Sequence, residues 1–353
     1  MNKILITGNM GYVGSVIVQH LRKAYPDVTL NGFDYGYFSH CLINVPQLPE
    51  CSLNNQIFGD IRQFSDTHLE GVDTLIHLAA LSNDPIGNRY EDLTMEVNFH
   101  STMRLANLAK LAGVKRFVFA SSCSVYGFSE QGPRNEQSPV NPLTAYARSK
   151  VRSEEILKTL ASSEFNITCL RFATACGISP RLRLDLVLND FVASAVIDKK
   201  ITVLSDGTPW RPLIDVKDMA RAVDWAINRE ADVGGAFLVV NVGADQWNFR
   251  VHELAEAVAR AIPDLDISLN KNAMPDHRSY KVNFDLYKSL AAGYQPEQNL
   301  ETTIKELKDG IDAMGCVDNW DAGKSFLIRL HVLEMLRNKG LLTADLKWKA
   351  GGK

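Results

Sequence analysis

The chain has 353 residues, 46% of them hydrophobic, and its 38 Lys and Arg against 41 Asp and Glu give a formal charge of −3. That length supports a large buried core, and the charge balance leaves no basic stripe for nucleic acid, so any anionic ligand needs a local site. No apolar run approaches membrane-spanning length and residues 1 to 8 enter a strand without a cationic leader, so a cytoplasmic protein with no membrane partner is expected. Cys41, Cys51, Cys123, Cys169, Cys176 and Cys316 form no C-x-x-C pair and no metal-ligand cluster, which predicts reduced thiols and no metal.

The β-run Lys3-Ile4-Leu5-Ile6 leads through glycines into an amphipathic helix ending near Lys23, and Val28 to Phe33 reads as a second strand. Further buried strands are expected at Thr74 to Leu78, Phe117 to Ala120 and Ile167 to Phe172, separated by helices at 92–113 and 143–162. Such alternation predicts an α/β fold, a Rossmann-type doubly wound parallel sheet. After about residue 175 the pattern loosens, with a strand at Ala236 to Val242 and helices near 250–261, 301–313 and 322–338. The expected division is a coenzyme-binding domain over residues 1–175 and a smaller C-terminal substrate-binding lobe over 176–353, interleaved with the first and ending in a helical tail.

Gly8-x-x-Gly11-x-x-Gly14 follows the first strand and opens the first helix, where backbone N–H groups and the positive helix end can hold a pyrophosphate, with Tyr12 and Val13 in the same turn. Asp34 ends the second strand, where a carboxylate reaches ribose hydroxyls and repels a 2′-phosphate. The run Asp34-Tyr35-Gly36-Tyr37 carries no Arg or Lys to receive that phosphate, so NAD is expected rather than NADP. Tyr146 and Lys150 stand one helical turn apart on one face, an arrangement in which the ammonium stabilises a phenolate and makes proton transfer with a hydroxyl feasible.

With these motifs in order, the chain resembles the extended short-chain dehydrogenase/reductase family, especially the nucleotide-sugar enzymes typified by UDP-galactose 4-epimerase. The resemblance covers residues 3 to about 296 and takes in Gly59-Asp60-Ile61-Arg62, His77-Leu78-Ala79-Ala80, Asn98 and Ser121-Ser122-Cys123-Ser124-Val125-Tyr126-Gly127. It implies that Asp60 and Ile61 flank adenine and that Leu78, Ala79 and Ala80 line the nicotinamide side, with His77 structural. It also implies that Ser122 bonds the reacting sugar oxygen, Tyr146 is the acid/base, and Lys150 binds the nicotinamide ribose. In the 4,6-dehydratase branch the two positions after the catalytic hydroxyl are Asp and Glu; here they are Cys123 and Ser124.

On the substrate side the resemblance places Asn189, Arg211 and Arg278 at the diphosphate of a nucleotide sugar, with Ser82, Cys123, Ser124 and Thr174 around the sugar. Thr174 replaces an asparagine common in the family, Ser82 stands where epimerases often carry lysine, and Arg181 and Arg183 fall in an unusual insert. The implied activity is NAD-dependent C4 epimerisation through a 4-keto intermediate. A net 4-dehydrogenase or 4-ketoreductase, a 4,6-dehydratase and a non-catalytic NAD-sensing protein stay open. The helices at 92–113 and 143–162 resemble those of the family's dimer interface, which predicts a homodimer. The tail beyond Pro296 is expected to pack on the substrate lobe or a second subunit.

Overall fold

The computed structural model describes residues 1–82, 84–129, 132–270, 279–315 and 326–349. The first half runs β1 (Lys3–Thr7), α1 (Tyr12–Ala24), β2 (Thr29–Asp34), β3 (Asn55–Phe58), β4 (Thr74–His77), α2 (Asp84–Arg89), α3 (Glu91–Met95), α4 (Ser101–Leu111), β5 (Arg116–Ser122), α5 (Ala145–Leu160) and β6 (Asn166–Phe172). The second half runs β7 (Thr174–Cys176), α6 (Val187–Ile197), β8 (Lys200–Val203), β9 (Trp210–Asp215), α7 (Val216–Asn228), β10 (Phe237–Val242), β11 (Asn248–Arg250), α8 (Val251–Ala261), β12 (Asp266–Leu269), α9 (Asp285–Leu290), α10 (Leu300–Asp312) and α11 (Arg329–Asn338).

Seven strands pair in parallel in the order β10-β6-β5-β4-β1-β2-β3. Apolar residues fill whole strands because both faces are covered. In β1, Ile4 and Ile6 enter one cluster with α1 and α7, while Leu5 enters the other with Leu105 and Leu157. The strand order reverses between β1 and β4, and the crevice beyond the carboxyl ends of these strands is where such sheets receive ligands. Strands β11-β9-β7 and β12-β8 form two smaller sheets beside that crevice.

The helix expected over 92–113 is α3 and α4 joined by one turn of wider π winding at Glu96–His100. The turn holds Asn98, whose amide accepts from Leu81 N (2.8 Å) and donates to Leu81 O (3.0 Å). It thereby fixes the segment after β4, in keeping with π turns at working positions. The last helix is α11; residues 322–325 of its expected span lie outside the described residues. The first tail helix, α10, packs on α6 and α8 of the substrate half as expected, but α11 departs from that expectation: its Val332, Leu333 and Leu336 bury against Cys41, Leu81, Ile86 and Leu93, all from the coenzyme-binding half. These neighbours are far apart in sequence, which is why periodicity alone could not assign the helix its partner.

Candidate active site

One cavity of about 1040 Å³ opens at the reversal of strand order. Its floor is the turn between β1 and α1. Gly8 has φ +78°, and a Cβ there would stand 2.6 Å from Ala79 N; one on Gly14 would stand 2.3 Å from Gly8 O. Both positions are thus closed to side chains by neighbouring backbone. Gly11 caps α1 without a side-chain bond and no acidic residue occupies the first turn, so the positive end of α1 faces the cavity uncompensated. Tyr12 and Val13 line the same turn, and the Tyr12 hydroxyl donates to Gly177 O at 2.6 Å.

Asp34 lies at the rim of that turn, accepting from Met10 N (3.1 Å) and Gly36 N (2.8 Å). Burial pushes its carboxyl up, and these two donors oppose the rise. The nearby guanidiniums are already matched, Arg62 to Asp60 at 2.7 Å and Arg181 to Glu50 at 2.7 Å. Asp60, Ile61, Leu78, Ala79 and Ala80 complete this side of the cavity. His77 lies behind it, bonded to Thr7 Oγ1 (2.7 Å) and Thr102 Oγ1 (2.8 Å), and burial pushes it down to about 3.

Ser122, Tyr146 and Lys150 stand opposite. Along β5 the side chains alternate: Ser121 bonds Glu154 in a buried network with Arg171, and Ser122 turns to the cavity. Tyr146 and Lys150 share one face of α5, with Lys150 Nζ 5.4 Å from the Tyr146 ring centre and donating to Ala120 O at 2.6 Å. Ser122 lines the cavity beside Tyr146, and its Oγ accepts from Ser124 N at 3.1 Å. Burial pushes Tyr146 up to about 12, with neighbouring Ser122 opposing the rise and Asp84 adding to it; burial pulls Lys150 down to about 8. Without a ligand the phenol therefore keeps its proton.

Ser82, Ser124, Thr174 and Arg211 line the same cavity. Two other expected substrate residues do not. Cys123 is 1% exposed and its thiol points to Arg171 O at 3.1 Å, away from the cavity, where burial pushes it up. Asn189 is fully buried behind the wall, its amide accepting from Gly177 N (3.0 Å) and donating to Arg183 O (2.9 Å). Arg278 lies outside the described residues. The structure adds Arg183, paired with Asp185 at 2.9 Å and donating to Ser82 Oγ at 3.1 Å, and Asp84, whose charge Tyr146 feels. The insert containing Arg183 marked the first; nothing but a turn-like Ser-Asn-Asp-Pro marked the second.

A glycine turn at the switch point of a parallel sheet, with Ser122, Tyr146 and Lys150 across the cavity from it, is the architecture of a dinucleotide-dependent enzyme. The model of the NAD dependent epimerase/dehydratase family matches residues 4–243, and the chain belongs to that family. It is 29% identical over 252 residues to "Uncharacterized UDP-glucose epimerase YtcB" of Bacillus subtilis, spanning 68% of this chain and 76% of that protein. It is 26% identical over 316 residues to "Putative UDP-glucose 4-epimerase" of Methanocaldococcus jannaschii, spanning 86% and 96%. Among solved structures, "MoeE5 in complex with UDP-glucose and NAD" superposes with TM-score 0.74 at 25% identity over 88% of this chain and 98% of that one. No helix among the described residues is long and apolar enough to cross a membrane.

Proposed function

We propose that the protein inverts C4 of a nucleotide-diphosphate sugar through a 4-keto species, with Tyr146 as acid/base. The observation that carries this reading is that Ser122, Tyr146 and Lys150 line the cavity that also holds the glycine turn, with Lys150 Nζ 5.4 Å from the Tyr146 ring centre. Positions 123 and 124, a thiol turned away and a hydroxyl, offer no carboxylate pair for dehydration. The sugar-nucleotide assignment draws on the relatives named above.

Gly8, Gly11, Tyr12, Val13 and Gly14 hold the coenzyme's pyrophosphate and Asp34 its adenosine ribose. Asp60 and Ile61 flank the adenine, and Leu78, Ala79 and Ala80 border the nicotinamide. NAD, when bound, accepts a hydride and returns it. Ser122 holds the C4 oxygen while Tyr146 takes its proton, and Tyr146 returns that proton when the ketone is reduced on its other face. Lys150 supplies the positive charge that favours phenolate, against the burial that otherwise keeps the phenol protonated. Arg211 binds the diphosphate; Asn189 serves from behind by fixing the Arg183 backbone. We further propose a cytoplasmic homodimer built on the helices over 92–113 (α3 and α4) and 143–162 (α5), and sedimentation of the purified protein tests the dimer.

Incubation with UDP-, GDP-, CDP- and dTDP-linked sugars, with product analysis by mass and NMR, tests the chemistry. Unchanged mass with inverted C4 is expected; loss of two hydrogens means net oxidation and sinks the epimerase reading. Dehydration has one observation in its favour, the Asp84 carboxyl in the cavity beside Tyr146, and loss of water in the same assay would establish it.

A further inference from the structure

Residues 326–349 lie beyond the stretch that the family model matches, which ends at 243, yet they form one wall of the coenzyme cavity. After α11 the chain folds back on itself, with Leu342 opposite Trp348 and Lys349 N donating to Leu341 O at 2.9 Å. This turn lies on the adenosine side. Trp348 Nε1 donates to Tyr35 O (2.8 Å), Arg62 Nη1 to Asp345 O (2.8 Å), and the Tyr37 hydroxyl to Leu346 O. Arg62 is the residue that holds Asp60. At its other end the segment is tied to the loop after β7, Leu184 N donating to Leu327 O at 3.1 Å and Arg329 Nη2 to Arg181 O at 2.7 Å.

We propose that this segment is a strap that closes the dinucleotide subsite and slows release of the coenzyme, with Leu346 as its wall and Trp348 as its latch. The proposal rests on the NAD assignment alone, not on the sugar chemistry. Leu346 is 1% exposed, lines the cavity with Asp34, Asp60 and Ile61, and holds φ +55°, a conformation that glycine adopts without strain and leucine does not. Its side chain compensates by joining the apolar cluster of α11 and by presenting a hydrocarbon face to the cavity. Loss of either residue therefore opens the wall without touching Ser122, Tyr146 or Lys150.

The strap also delivers charge. Arg329 lines the cavity and is 3% exposed; its guanidinium lies over the Phe38 ring, and its Nη1 has no hydrogen-bond partner among the described residues. Arg181 and Arg183, its neighbours, each have a carboxylate. Among the described residues Arg329 has none, so the strap adds a buried cation to the wall of a cavity that receives a pyrophosphate dianion. Such a charge favours residence of that anion.

Stopped-flow displacement of bound NADH from the full-length parent, Trp348→Ala and Leu346→Gly, with no sugar nucleotide present, tests the strap. Both variants should release NADH about tenfold faster, since changes in a binding surface act mostly through dissociation. They should also lose coenzyme on gel filtration under conditions in which the parent retains it. Trp348 is 37% exposed, so its replacement leaves a folded protein even where Leu346→Gly does not. Release from folded Trp348→Ala at the parental rate would overturn the strap. A parent that binds no NADH at all would overturn the coenzyme assignment with it, a result distinct from the first.

Discussion

At the coenzyme end, the cavity wall is backbone: Gly8 and Gly14 admit no side chain and the first turn of α1 faces the ligand directly. At the end proposed for the substrate, the wall is charged side chains already engaged, Arg183 with Asp185 and Ser82, and Arg211 with Trp210 O at 2.9 Å. A backbone subsite is formed before any ligand arrives, so an error there disturbs the fold as well as binding. A side-chain subsite must exchange partners as the ligand enters, so its residues can change with the sugar at smaller structural cost.

The largest expected effect falls where the two ends meet. Tyr146→Phe keeps the ring and removes the proton-transfer group, so turnover should fall by about 10²- to 10⁴-fold while affinity for both ligands stays near that of the parent. Steady-state rates with calorimetry check this, and an unchanged kcat would mean that another group is the base.

Lys150 comes next, read as stability of the coenzyme-free protein. Unfolded, it keeps its proton to the ordinary value of 10.5; folded, to about 8. Between those values the unfolded chain binds more protons, so stability rises with pH, and below about 8 the whole penalty is present. A shift of this size corresponds to on the order of 3 kcal/mol. Lys150→Met should therefore be the more stable protein near pH 7.5, and the parent should gain on it from pH 8 to 10. Thermal melts that run parallel across that range would refute the buried-ammonium reading.

Gly14→Ala tests the backbone end. Its Cβ would meet Gly8 O at 2.3 Å and Asn9 Cα at 2.7 Å, neither of which can rotate away. Overpacking of this kind costs about 1 to 3 kcal/mol. Both melting temperature and NAD affinity should fall together; a loss of affinity at parental stability would show that the turn is not the rigid support inferred here.

The same contrast governs what was legible in the sequence. The glycine turn and the strands of the first half could be read because each is local: Ile4, Leu5 and Ile6 alternate between two covered faces and so form a continuous apolar run. Helix α6 was not anticipated, since Leu188, Phe191, Val192 and Ala195 sit among other buried residues and leave little polar contrast. Helix α7 had a signal: Asp215 caps it by accepting from Lys217 N at 2.8 Å, before an apolar stripe at Met219, Val223 and Ile227. Edge strand β3, with Asn55 and Phe58 exposed, carries no apolar pattern. The glycine turn, Ser122, Tyr146 and Lys150 line one cavity, as the family resemblance implies. Trp348 on Tyr35 joins residues 313 positions apart, which no local pattern records.

Arg211 and Asp84 probe the side-chain end. Arg211→Ala should weaken binding of a free nucleoside diphosphate by about 1.5 kcal/mol, the low end for a charged hydrogen bond, because the guanidinium is half-buried and water screens it. NAD affinity should stay unchanged in the same titration. Equal losses for both ligands would mean that the two ends are not separate subsites.

Asp84→Asn should give the smallest effect and the most selective one. The Asp84 carboxylate raises the Tyr146 pKa, as a like charge opposes phenolate, while the nearby Arg183 lowers it. Removing the carboxylate's charge leaves the volume nearly constant and lets the phenol ionise more readily. The limb of the kcat profile that follows Tyr146 deprotonation should move to lower pH, with little change in KM for the coenzyme. If Asp84 instead supplies a proton to a leaving hydroxyl, the variant loses turnover at every pH and the limb stays in place. The two outcomes separate an electrostatic neighbour of Tyr146 from a second acid, and with it epimerisation from dehydration.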